Sequence, residues 1–145
     1  MITDAPIRRA DSPTSRRPPA KLLAIDDDPD VLCSLQRRLN EFDLQINLAC
    51  HGTHGIWLAA TEKPDLIITD VRMPQGEGGY VLECLKQRVE TASIPVIVLT
   101  GRRDGDLPGR MLRLGAVKVF HKPVAFQELC DEIARYIDLR ERERE

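Results

Sequence analysis

The sequence predicts a doubly wound α/β fold, with a five-stranded parallel sheet covered by helices on both faces. Two observations carry this. Short β-rich runs alternate with longer segments of helical spacing along most of the chain. Runs such as "LIIT" and "VIVL" are apolar at every position, which suits strands buried on both faces rather than a sheet with one wet side.

In chain order, the expected strands are "KLLAI", "LQINLA", "DLIITD", "IPVIVLT" and "VKVFH". Val31, Leu32, Leu35 and Leu39 fall on one face of a helix after the first strand. Asp28 is placed to cap that helix, and Pro29 suits its first turn. The segment after the second strand contains His51 and His54, read as surface polar residues because no further ligand lies in sequence reach, and Trp57, read as a packing residue like Tyr80. Val81, Leu82, Leu85 and Val89 make the next apolar stripe. The fourth inter-strand segment, "GRRDGDLPGRMLRLGA", is weakly helical because Gly105, Pro108 and Gly109 oppose helix formation. A short helix from Leu107 to Leu114 is expected there, with Asp106 at its N-cap. Phe126, Leu129, Ile133 and Ile137 define the last helix.

Three divisions follow: a disordered arm over residues 1–20, rich in Pro, Arg and Ser; one domain over 21–139; and a charged helix extension or tail over 140–145. A chain of 145 residues can bury a core without staples. Its 21 basic and 23 acidic residues give a net charge of -2, so no global field draws it to nucleic acid or anionic lipid. No basic stripe argues for direct DNA binding. Cys33, Cys50, Cys84 and Cys130 form no C-x-x-C pair and read as reduced core or near-core thiols. Without a signal-peptide pattern or a stretch of membrane-spanning length, the expected location is cytoplasmic, with no membrane partner.

In such a sheet the loops leaving the carboxyl ends of the strands converge on one rim, where ligands bind. The first strand delivers Asp26, Asp27 and Asp28 to it, the third Asp70, the fourth Thr100, and the fifth Lys122 followed by Pro123. Carboxylates without nearby His or Cys form an all-oxygen site that selects a hydrated octahedral cation such as Mg²⁺. Such an ion relieves the repulsion among Asp26, Asp27 and Asp70 and can accept a phosphoryl oxygen. Thr100 and Lys122 offer a hydroxyl and a point cation for the remaining phosphoryl oxygens. Asp70 can itself be the nucleophile, forming a mixed anhydride.

These motifs, "AIDDDPD", "DVRMP", "PVIVLTG" and "GAVKVFHKP", resemble those of the receiver domain of two-component response regulators, over residues 21–139. The resemblance implies the flavodoxin-like receiver fold. It implies a switch rather than an enzyme, with Asp70 taking a phosphoryl group from a phosphohistidine of a sensor histidine kinase or phosphotransfer protein. It further implies Mg²⁺ bound directly by Asp27 and Asp70, through water by Asp26, and by the backbone carbonyl of Arg72. Arg72 and Arg102 take the positions that flank the hydrolytic water and so tune the lifetime of the phosphorylated state. The residue three before the lysine, aromatic in most receivers, is here Val119, and Phe120 should point to the opposite side of its strand. Output is therefore expected through a downstream protein docking near the fourth helix and fifth strand, with the weak fourth helix as the element that responds. The alternative is a receiver-like scaffold that docks constitutively without phosphorylation. A flavodoxin-like electron carrier is set aside, because "DDDPD" would repel the phosphate of a flavin. The chain is compatible with action alone or as the receiver portion of something longer.

Overall fold

The computed structural model describes residues 17–71, 79–101 and 105–143. Five strands, β1 (Ala20–Ile25), β2 (Leu44–Ala49), β3 (Leu66–Thr69), β4 (Val96–Thr100) and β5 (Lys118–His121), alternate with α1 (Pro29–Leu39), α2 (Gly52–Glu62), α3 (Tyr80–Gln87), α4 (Leu107–Arg113) and α5 (Phe126–Ile133). The strands form one sheet in the order β2-β1-β3-β4-β5, with every pairing parallel. β1 begins at Ala20, inside the stretch expected to be an arm.

The period-two alternation of the strands sorts the core into two layers. Leu23, Ile25, Ile67, Val96 and Val98 pack with α2, α3 and α4, whereas Leu22, Ala24, Leu66, Ile68, Ile97 and Leu99 pack with α1 and α5. Val119 joins the first layer and Phe120 the second, so the two point to opposite sides as expected. α2 lies close over β1 at Gly55, where a Cβ would fall 2.5 Å from the Ile25 side chain. Any larger residue there must displace a buried isoleucine.

Local signals explain some helix ends. The Asp28 side chain accepts a hydrogen bond from the Asp30 N–H at 3.0 Å, capping α1. α4 starts at Leu107 with Pro108 in its first turn, as its composition requires, and Gly115 leaves it with φ +114°. Asp106 occupies the N-cap position but makes no capping hydrogen bond; its carboxylate instead lies 3.7 Å from Arg113.

Several expectations are corrected. α3 stops at Gln87, and Val89 is 92% exposed. The Leu85 carbonyl, which a longer helix would spend on the Val89 N–H, accepts the Thr91 hydroxyl at 2.6 Å. Lys86 meanwhile donates to the carbonyls of Ala92 and Ile94, fixing the loop that leads into β4. Of the cysteines only Cys130 is buried; Cys33 and Cys50 are exposed and Cys84 is intermediate. Trp57 and Tyr80 stand largely in solvent rather than in the packing. The charged end does not prolong α5. It folds back, with Glu141 forming an antiparallel bridge to Phe42, and Arg142 donates to the carbonyls of Asn40 and Phe42.

Candidate functional site

Three strand ends meet at the rim, and backbone hydrogen bonds fix each of them. The Asp26 N–H donates to the Ala49 carbonyl at 3.0 Å, Asp70 N–H to Ile25 at 3.1 Å, and Lys122 N–H to Thr100 at 2.8 Å. Each rim residue is thereby held to the last residue of the neighbouring strand. The side chains converge accordingly. Lys122 Nζ lies 2.9 Å from Asp26 Oδ2 and 3.1 Å from Asp70 Oδ2, and one carboxylate oxygen from each of Asp26, Asp27 and Asp70 falls within 4.8 Å of the others. Asp26 and Asp70 are buried while Asp27 is exposed, which leaves the cluster open on one side. Thr100 is fully buried at the end of β4, beside Lys122 through the backbone bond just given. Lys122 precedes Pro123 through a cis peptide bond.

The electrostatics follow from crowding. Burial raises the Asp26 carboxyl above its ordinary range, and the hydrogen bonds from Lys122 and the Asp28 N–H offset this only in part. Burial alone would lower the Lys122 ammonium, but Asp26 and Asp70 together outweigh it and hold it above its ordinary value. Lys122 thus bridges two of three clustered carboxylates, and among the described residues the cluster's donors are all oxygen. This is the chemistry of a hard divalent cation site, and Asp26, Asp27 and Asp70 are the residues able to hold one.

Asp26, Asp27, Asp70, Thr100 and Lys122 therefore come together as the strand-end argument requires. Asp28 turns away to cap α1. Arg72 and Arg102 lie outside the described residues. His51 and His54 are exposed; His54 stacks on Trp57 with ring centroids 6.2 Å apart, and neither joins the acidic cluster. Sequence reasoning missed Thr69, whose buried hydroxyl donates to the Asp70 carbonyl at 3.0 Å. A hydroxyl on the last residue of an otherwise aliphatic strand was the available signal.

The response regulator receiver domain family matches residues 22–134. The chain is 34% identical over 111 residues to response regulator MprA of Mycolicibacterium vanbaalenii, covering 77% of this chain and 47% of that protein. It is 28% identical over 120 residues to sporulation initiation phosphotransferase F of Bacillus subtilis, covering 83% of this chain and 95% of that one. A response regulator from Desulfuromonas acetoxidans shares its fold with a TM-score of 0.70 and 29% identity, over 80% of this chain and 94% of that chain. The chain spans half the length or less of several curated relatives that it matches. Among the described residues no helix is long and apolar enough to cross a membrane. With the match extending from β1 to the end of α5, the chain belongs to the response regulator receiver domain family of two-component systems.

Proposed function

We propose that this chain is a phosphorylation-dependent signalling switch, in which Asp70 accepts a phosphoryl group from a phosphohistidine of a sensor kinase or phosphotransfer protein. The observation that carries this is the cluster of Asp26, Asp27 and Asp70 at the carboxyl end of the sheet, with the Lys122 ammonium bonded to Asp26 and Asp70.

An Asp70 oxygen forms the new bond to phosphorus while the donor P–N bond breaks, its electron pair passing to the imidazole nitrogen. No general base is required, because a carboxylate attacks without first losing a proton. Lys122 neutralises charge on the transferring group, and Thr100 supplies a hydroxyl to a phosphoryl oxygen. Asp27 and Asp70 would hold Mg²⁺ directly, Asp26 through water, and Arg72 through its carbonyl. When bound, the ion supplies positive charge to the phosphoryl oxygens. By the family resemblance, Arg72 and Arg102 would flank the approach of the hydrolytic water, and as long cations they would slow its attack. Docking of a downstream protein near α4 and β5 then reads the phosphorylated state. The intact set of acids, threonine and lysine favours this over constitutive docking.

The test is incubation with Mg²⁺ and acetyl phosphate followed by intact mass. One phosphoryl group is expected on the wild-type chain and on Asp28→Asn, and none on Asp70→Asn. An adduct that persists in Asp70→Asn overturns the assignment.

A further inference from the structure

We propose that Thr69 is a positioning residue for the phosphoacceptor, its hydroxyl locking the peptide that follows Asp70 so that the carboxylate stays aimed at the rim. The inference deepens the reading of Asp70 as the acceptor and rests on it.

Thr69 is the last residue of β3, and its side chain is 2% exposed. The pairing of β3 ends at this residue on both sides, with Ile25 of β1 and Val98 of β4. Asp70 is therefore the first residue to leave the ladder. Its N–H still donates to Ile25, and on its other side the Thr69 hydroxyl donates to its carbonyl at 3.0 Å. The two bonds clamp the backbone of Asp70 from both directions, and Val71 beyond it is buried.

A threonine favours a strand for its β-branched shape alone, and a valine would serve that purpose equally. The hydroxyl adds a requirement. Buried beside the Ile67 layer it must find an acceptor, and the one it uses is the carbonyl of the residue that carries the chemistry. A nucleophile gains from being held in line, since a displacement near 1 Å costs on the order of a hundredfold in rate. Asp70 faces Lys122 at 3.1 Å, so a rotation of its peptide would swing the carboxylate within a crowded cluster rather than into open solvent.

The experiment compares wild type, Thr69→Val and Thr69→Ser for phosphorylation by acetyl phosphate at saturating Mg²⁺, across donor concentrations, with thermal melts of the same proteins. Valine keeps the shape and deletes the donor; serine keeps the donor. The maximal rate of Thr69→Val is expected to fall about tenfold, with the half-saturating donor concentration changed by less than about twofold, and Thr69→Ser is expected to return to within about threefold of wild type. A Thr69→Val chain phosphorylated at the wild-type maximal rate overturns the inference. So does a rate loss that serine fails to rescue and that follows only a lowered melting temperature, since that marks a purely structural role. A wild-type chain that accepts no phosphoryl group overturns the Asp70 reading and this inference with it.

Discussion

Two clusters of charge lie at different places in this molecule and are built on opposite rules. At the rim, among the described residues, Lys122 bridges the buried Asp26 and Asp70, with Asp27 close to both carboxylates, and burial makes the charge on Asp26 costly. At the corner where the tail folds back, Arg140 lies 3.8 Å from Asp43 and 3.4 Å from Asp138 and donates to the Arg17 carbonyl, while Arg142 donates to the carbonyls of Asn40 and Phe42. There the arginines meet mainly backbone carbonyls, and the buried Arg140 Nε has the Asp138 carboxylate as an ion-pair neighbour without a hydrogen bond. The corner fixes the chain, with the Asp43 N–H donating to Arg140 and the Arg142 N–H to Glu41 on either side of the Phe42–Glu141 bridge. Charge density alone does not distinguish the two regions. What the charges meet does: carboxylates crowded together repel one another and release energy to a cation, whereas arginines tied to backbone carbonyls hold two segments of chain in place.

The largest effect expected from this contrast is on metal binding. Asp27→Ala should weaken Mg²⁺ by about tenfold or more, since it removes the exposed carboxylate of an all-oxygen site, whereas Arg142→Ala should leave affinity within about twofold. Calorimetric titration of both variants decides it. Equal affinity in wild type and Asp27→Ala would show that the rim is not the site.

The next effect is on stability. Lys122→Met leaves Asp26 and Asp70 without their shared cation and should cost on the order of 2 kcal/mol in metal-free protein at neutral pH. The folded-state value of Lys122 is raised, so the stability it contributes is complete below the ordinary 10.5 and is lost as pH climbs through the higher folded value. Urea melts of both proteins in a chelator between neutral pH and about pH 11 should therefore find the difference closing only at the alkaline end. A difference that does not change with pH contradicts the pairing.

The smallest effect belongs to the corner. Arg142→Ala removes two exposed hydrogen bonds and should cost about 1 kcal/mol, with faster amide exchange at Asp43 and no change in phosphorylation. If it alters Mg²⁺ affinity instead, the two regions are coupled and the contrast between them fails.

The sequence alone determined the alternation of strands and helices, because the aliphatic runs of β3 and β4 and the stripes of α1 and α5 report the burial of single elements, which is a local property. It also determined the rim residues. Parallel strands bring their carboxyl ends to one edge, so Asp26, Asp27, Asp70, Thr100 and Lys122 needed only their positions at strand ends to be gathered. The tertiary structure decided what depends on partners distant in the chain. Val89 continues the apolar stripe of α3, yet the Thr91 hydroxyl takes the Leu85 carbonyl and the helix stops before it. Cys33, Trp57 and Tyr80 have apolar character but occupy outward positions of their helices, set by which face meets the sheet. The alternating charges of the tail suit a solvated helix, but Arg140 and Arg142 find acceptors in the α1–β2 loop, about a hundred residues earlier in the chain. The Thr69 hydroxyl has one local acceptor, and its importance arises because the sheet ends there and buries it. A periodic pattern records whether an element is buried; which atoms meet across elements is set only when long-range packing brings them within hydrogen-bonding distance.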